Sequence, residues 1–386
     1  MNRRLATSED LFAIMERIAE ERAAAKPIVQ SVLERGEEVW EEEIPASWRT
    51  AGFVQELTSA AAGILESNPP GSLSFAQLAL AVASTIPPET YPSPVQAHIE
   101  GRAWKEIGTA HRYLDAYDAA LRAYLASERT FSQHDALSHD RGCLQLVRAG
   151  LLVLTRDDES VFDLIAESEA VFREHGDQER IEQAEFTKGL VHHYRGELHR
   201  ARAMYEDILQ RVKNSDDLNT LAMLHHNLGH IHTVLGETSA AVSYFFQARD
   251  IFTELNMPGE VDRVGWGLAF VLLSTGEFGK ALSLLTPLRE AYLRRQCPEE
   301  AGLIALYMVD ALIGLDQFEA ARSLTELVVT EFAIANLNAR AITALAYLRE
   351  LLPKSKQPRR AVRHVRSYLE RLSSDPTSVF VPLADE

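Results

Sequence analysis

The chain has 386 residues, of which 46% are apolar and 25% charged, so it can bury a sizeable core. Its formal net charge of −17 argues against general binding to nucleic acid or to an anionic membrane, because both need a dense field of Lys and Arg. Only two cysteines, Cys143 and Cys297, are present, which excludes a disulfide framework. The first residues lack the apolar core of a signal peptide, and we expect a soluble, cytoplasmic protein.

Residues 1–100 predict an N-terminal helical region that forms a cap or a small bundle. The segment Asn68-Pro69-Pro70-Gly71 is typical of a stretch that interrupts a helix. Residues 1–67 carry no convincing helix-turn-helix pattern, which disfavours direct transcriptional control. Helices are expected over about residues 8–33, 45–67 and 74–87, with a fourth that starts near residue 94.

From residue 101 onward the sequence repeats with a period of forty residues. Turn residues recur at Gly196, Gly236, Gly276 and Asp316, and alanines of the following helix recur at Ala201, Ala241, Ala281 and Ala321. We predict about seven helix pairs that start near residues 101, 141, 181, 221, 261, 301 and 341, end near 374 and leave a tail at 375–386. Neither helix of a pair can bury its apolar stripe alone, so neighbouring pairs must stack.

The first clear copy carries a recognisable pattern. Trp104, Ile107, Gly108, Ala120 and Tyr124 have the spacing W-x2-L-G-x2-Y followed by A-x3-F. This pattern resembles the tetratricopeptide repeat (TPR), and the forty-residue period is similar to the long-helix TPRs of bacterial regulators and motor light chains. The resemblance implies an all-α, right-handed superhelical solenoid whose concave groove binds a peptide or a protein.

The stretch LHHNLGHIH, residues 224–232, places four histidines on one predicted first helix. On TPR geometry His225 and His232 occupy packing positions, like His192 one repeat earlier, whereas His226 and His230 face the groove. A metal site is disfavoured, because two histidines four residues apart need further protein ligands and this stretch carries no carboxylate. We expect the groove histidines to contact a partner.

The same positional rule predicts groove residues in the neighbouring repeats. In the TPR family an asparagine at the position of Asn227 commonly hydrogen-bonds a bound peptide, while a purely structural role is the alternative. Aromatic side chains with scattered polar anchors are what a bound peptide or partner helix contacts, unless the chain itself fills the groove. The predicted partner-binding residues are His193, Tyr194, His226, Asn227, His230, Arg263, Trp266, Phe270, Tyr307 and Asp310.

The basic run from Lys354 to Arg366 carries a local positive charge. Because Ala361, Val365 and Tyr368 have helical spacing, we expect this run to form the outer face of the last repeat. A docking patch for an acidic partner, or for the acidic N-terminal region, is the alternative.

No Gly-rich phosphate loop and no nucleophile motif occurs, so we predict no enzymatic activity, no cofactor and no metal. Two functions stay open. The first is a non-enzymatic scaffold or regulator that binds a protein or peptide partner in its groove. The second is a peptide-responsive signalling receptor that sequesters or modulates a response regulator or an enzyme.

Overall fold

A computed structural model describes residues 8–35, 44–66, 68–114, 116–155, 160–213, 217–295, 297–335, 337–374 and 378–383. Within these ranges the regular structure consists of seventeen α-helices and two short 3-10 helices, with no β-strand. The all-α fold class predicted from the sequence is confirmed. Contacts divide the chain into two compact units, Met1–Arg195 and Gly196–Glu386.

The first unit packs its initial helices around one shared core. Val29 of α1, Phe53 of α2, Leu78 of α3 and Ile107 of α4 all lie in this core. Residues on both sides of residue 100 therefore pack together, and the predicted domain boundary there stays a prediction. The helices of this unit are α1 (Ser8–Arg35), α2 (Ala51–Ile64), α3 (Pro69–Thr85), α4 (Ser93–Tyr113), α5 (Tyr117–Phe131), α6 (Ser138–Thr155), α7 (Val161–His175) and α8 (Gln178–Tyr194).

Two helix starts in the first unit differ from the sequence prediction. Helix α2 begins at Ala51 rather than near residue 45, because the Thr50 hydroxyl accepts a hydrogen bond from Phe53 N at 3.2 Å and caps the helix. Helix α3 begins at Pro69 rather than near residue 74. Asn68 Oδ1 accepts a hydrogen bond from Gly71 N at 3.0 Å, and proline suits a first helical turn, where a backbone N–H has no partner. Residues 68–71, which we expected to interrupt a helix, therefore form the start of α3.

The second unit consists of helix pairs at a constant interval. The first helices of three successive pairs begin at residues 218, 258 and 298, and their second helices begin at 238, 278 and 318. The helices of this unit are α9 (Leu198–Val212), α10 (Leu218–Val234), α11 (Thr238–Glu254), α12 (Pro258–Ser274), α13 (Phe278–Arg294), α14 (Pro298–Gly314), α15 (Phe318–Ile334), α16 (Ala339–Leu351) and α17 (Pro358–Ser374).

Left-handed residues end the first helices of this unit. The backbone angle φ is +76° at Gly236 and +81° at Gly276, and Asp316 takes the same place with φ of +59°. At Gly236 the next amide, Glu237 N, donates a hydrogen bond to His232 O at 2.8 Å and so satisfies a carbonyl at the helix end. The turns predicted from the period are confirmed at these three positions.

Close packing within a pair depends on a small residue in the first helix. A Cβ atom at Gly229 would lie 2.8 Å from Cδ1 of Phe245, and Phe245 is fully buried. Helices α10 and α11 can approach here because Gly229 has no side chain. At the other end of the unit, α17 packs against α14 as well as α16. None of the described helices is both long and apolar enough to cross a membrane.

Candidate functional site

The second unit contains a cavity of about 590 Å³ that the first helices of three successive pairs line together. Ligand sites in proteins typically have volumes of about 300–1,000 Å³. We call this site the aromatic cavity. Its polar and aromatic lining consists of His226 and His230 of α10, Arg263, Trp266 and Phe270 of α12, Tyr307 of α14, and Arg366 and Glu370 of α17.

Two histidines form one wall of the aromatic cavity. His226 and His230 lie one helical turn apart on α10, both half-buried, with ring centroids 4.7 Å apart in an edge-to-face arrangement. Both rings also contact Phe245 of α11, at centroid distances of 5.9 and 5.2 Å. This aromatic support holds the imidazoles in fixed positions, where they can contact a ligand.

Three larger aromatic side chains, from α12 and α14, also line the aromatic cavity. The ring centroids of Trp266 and Phe270 lie 5.8 and 6.1 Å from that of Tyr307, and both pairs are edge-to-face. The Tyr307 hydroxyl donates a hydrogen bond to Glu370 Oε1 at 3.1 Å. Burial is the main cause that raises the pKa of Tyr307 above its ordinary value, so the phenol stays protonated and its hydroxyl remains a donor.

Helix α17 closes one side of the aromatic cavity with Arg366. The Arg366 guanidinium lies over the Tyr307 ring, with Cζ 4.1 Å from the centroid, and it lies 5.9 Å from the centroid of Phe270. Such cation–π stacking fixes the plane of the guanidinium. The expectation that the basic run forms only an outer face is wrong for this residue, because α17 packs on α14 and turns Arg366 toward it.

A second cavity of about 510 Å³ adjoins the first, since Phe270 and Arg366 line both. We call it the arginine cavity, because its charged lining consists of Arg359, Arg363, Arg366 and Asp310. Arg359 Nε donates a hydrogen bond to Asp310 Oδ1 at 2.5 Å, and Arg363 Nε lies 3.8 Å from Asp310 Oδ2. Three guanidinium groups thus face one carboxylate.

The two histidines predicted to pack do so. His225 and His232 are both buried, and both rings contact Tyr244, at centroid distances of 5.7 and 5.1 Å. His232 also hydrogen-bonds Glu237, and this bond is the main cause that lowers the pKa of Glu237. Burial lowers the pKa of His225. These two histidines support the fold of α10 and α11.

Three residues of the second unit that we predicted to bind a partner have different surroundings from one another. Arg263 lines the aromatic cavity and forms an ion pair with Glu260 on its own helix. Asp310 is buried and lines the arginine cavity. Asn227 is also buried, and its Nδ2 donates a hydrogen bond to Met223 O at 2.8 Å, so its amide serves α10 itself. Asn227 therefore has no place in the site proposed below.

His193 and Tyr194 lie at the end of α8 in the first unit. His193 is half-buried, and burial lowers its pKa, whereas Tyr194 is exposed. Their role in ligand binding stays a prediction. His192, which we expected to pack, is half-buried beside Phe162, with ring centroids 5.4 Å apart.

The sequence analysis did not predict the cavity residues of α17, because it searched only the first helix of each pair and α17 is a second helix. These residues are Arg359, Arg363, Arg366 and Glu370. One signal was available, because Arg359, Arg363 and Arg366 have the spacing i, i+4, i+7 of a single helical face. In the part of the chain that the structure describes, no group of three or more His, Cys, Asp or Glu side chains is arranged to hold a metal ion.

The helix pairs, their forty-residue interval and their left-handed turns define a TPR-type helical repeat protein. No protein-family model and no curated protein matches the sequence. Several solved structures are similar to this chain in fold, although their sequence identity to it is low. The chain is 13% identical to a Rap protein complexed with competence and sporulation factor, with a TM-score of 0.57 over 92% of this chain and 99% of that one.

Two further solved structures share this fold. NprR in complex with its cognate peptide NprX is 13% identical, with a TM-score of 0.54 over 97% of this chain and 95% of that one. A signal-transduction ATPase with numerous domains and a TPR sensor, from Pyrococcus horikoshii, is 11% identical, with a TM-score of 0.57. That match covers 91% of this chain and 53% of the ATPase, so the chain spans about half the length of that protein.

Proposed function

We propose that the chain is a non-enzymatic, peptide-binding regulatory module and that the aromatic cavity takes the peptide. The observation that carries the proposal is the convergence of Trp266, Phe270 and Tyr307 from two first helices on one cavity of about 590 Å³. Large, rigid aromatic side chains supply most of the binding free energy at peptide and protein interfaces. His226 and His230, which line the same cavity, add groups that can make polar contacts.

Solved proteins of this fold support a peptide as the ligand. One Rap protein is complexed with competence and sporulation factor, NprR with its cognate peptide, and the Rap conjugation gene regulator of plasmid pLS20 with the Phr* peptide. By analogy with these proteins we further propose that peptide binding alters how the chain acts on a partner protein, as in a peptide-responsive receptor. Cys143 and Cys297 are free thiols, which suits the cytoplasmic location that we propose.

Selection of short random peptides displayed on phage, with the full chain immobilised, tests this proposal. Affinities of the enriched peptides are then measured by fluorescence anisotropy for the wild type, Phe270→Ala and Phe246→Ala. The control is matched, because Phe270 is 36% and Phe246 42% exposed, and only Phe270 lines the cavities. We expect Phe270→Ala to weaken binding by about tenfold or more and Phe246→Ala to leave it unchanged. Absence of any enriched peptide, or equal effects of the two variants, would overturn the proposal.

A further inference from the structure

We infer that the peptide carries a carboxylate and that Arg363 and Arg366 bind this carboxylate in the arginine cavity. The inference rests on the proposed function, because it assigns the chemistry of the ligand at a subsite next to the aromatic cavity. Since Phe270 and Arg366 line both cavities, one short peptide can place an apolar side chain in the first and an acidic group in the second.

Arg366 is buried with hydrogen-bonding capacity left over. Only 8% of the residue is exposed, and among the described residues its Nε has no hydrogen-bond partner. Glu370 Oε1 lies 3.6 Å from this Nε, within ion-pair distance but too far for a hydrogen bond. A buried guanidinium with an unsatisfied nitrogen carries a cost in free energy, and a carboxylate placed beside this guanidinium in the cavity offsets that cost through its charge. Stacking on the Tyr307 ring holds the Arg366 guanidinium in place when no ligand is bound.

Arg363 supplies the second guanidinium. Its side chain is 54% exposed and its Nε lies 3.8 Å from Asp310 Oδ2, so the contact between them is long. Asp310 is instead engaged by Arg359 Nε at 2.5 Å. Arg363 thus lines the arginine cavity with an exposed side chain, about one helical turn from Arg366 on α17.

The charge of the cavity favours an anion. The lining of the arginine cavity contains three arginines and one carboxylate, Asp310, and Glu370 lies 3.6 Å from Arg366 beside it. The three positive charges thus exceed the two negative ones, in a protein whose formal net charge is −17. An acidic ligand is repelled by most of such a protein, so a local excess of positive charge marks where it can bind. Guanidinium groups bind carboxylates through paired N–H···O bonds, which a neutral amide cannot reproduce. The favoured ligand group is thus a Glu or Asp side chain or a free C-terminus.

An array of short synthetic peptides tests the inference. Every peptide carries one phenylalanine, has either glutamate or glutamine at each other position, and ends in either a carboxylate or an amide. Binding is measured for the wild type, Arg363→Gln, Arg360→Gln and Phe270→Ala. Arg360 is the matched control, because it is an exposed arginine of α17 that does not line either cavity.

We expect acidic peptides to bind more tightly than their amide counterparts, and Arg363→Gln to remove about tenfold of that preference. Arg360→Gln should retain it. A loss of affinity when glutamate is replaced by glutamine identifies a side-chain carboxylate as the ligand group. A loss of affinity when the C-terminus is amidated identifies the terminal carboxylate. If peptides bind and depend on Phe270 but acidic and amide forms bind equally, or if both arginine variants act alike, the inference alone fails. If no peptide of the array binds the wild type although peptides from the phage selection do, the inference fails and the proposed function stands. If peptides from the phage selection do not bind either, the proposed function fails with it.

Discussion

The guanidinium of Arg366 lies over the ring of Tyr307, 4.1 Å from its centroid, and so joins the last helix of the second unit to the first helix of the preceding pair. The same tyrosine donates its hydroxyl to Glu370, one turn further along α17. Arg359 adds a hydrogen bond to Asp310 of α14. The contacts that hold α17 on α14 therefore also build the walls of both cavities.

Asp310→Asn should destabilise the second unit. The carboxylate is buried and is engaged by Arg359, so its removal leaves a guanidinium without its charged partner. We expect a loss of about 2–3 kcal/mol, below the value of about 3–5 kcal/mol for a fully buried pair, because the Arg359 side chain is partly exposed. Equilibrium urea unfolding measures the loss. Asp250→Asn, which removes an exposed ion pair with Arg249, should change the free energy of unfolding by less than about 0.5 kcal/mol. Equal effects would contradict the account.

Two glycine-to-alanine changes should shift stability in opposite directions. A Cβ at Gly229 would lie 2.8 Å from the buried Phe245 ring, so Gly229→Ala should cost about 1–3 kcal/mol through overpacking. Gly265 lies inside α12 with no atom within 4 Å of an added Cβ. Gly265→Ala should therefore stabilise by about 0.5–1 kcal/mol, because alanine favours a helix interior more than glycine. Thermal or urea unfolding of both variants gives the signs, and two changes of the same sign would refute the packing described for α10 and α11.

Acidification should destabilise the wild type partly through His225. Burial lowers the pKa of this imidazole below its ordinary value of 6.5. As the pH falls, the unfolded state therefore binds a proton at this residue before the folded state does. Stability from this source is complete above about pH 6.5 and decreases as the pH falls below it. His225→Phe should therefore reduce the slope of unfolding free energy against pH between about pH 6.5 and 5. Burial also lowers the pKa values of His111 and His193, so part of the slope remains. An unchanged slope in His225→Phe would contradict this assignment.

The forty-residue period predicted what depends on local pattern. The turns at Gly236 and Gly276 and the packing roles of His225 and His232 follow from positions within one repeat. They could be predicted because helical periodicity and the needs of a helix end act over a few residues.

The position of α17 could not be predicted in the same way. A repeat pattern treats the last pair like the others, whereas α17 packs on α14 through Tyr307, Asp310 and their partners on α17. These contacts join residues 49 and 63 positions apart and are set by tertiary packing, which local periodicity does not encode. Asn227 illustrates a second limit. Its helical position suited a peptide contact, but the amide donates a hydrogen bond to Met223 O inside α10.

Photo-crosslinking shows where on the chain a selected peptide binds. A peptide from the phage selection, synthesised with a benzoylphenylalanine in place of its aromatic residue, is bound to the full chain and irradiated, and the adducts are located by mass spectrometry. If the peptide binds in the aromatic cavity, adducts form on α10, α12, α14 and α17, at or beside the residues that line this cavity. Adducts confined to residues 8–195, in the first unit, would contradict binding there.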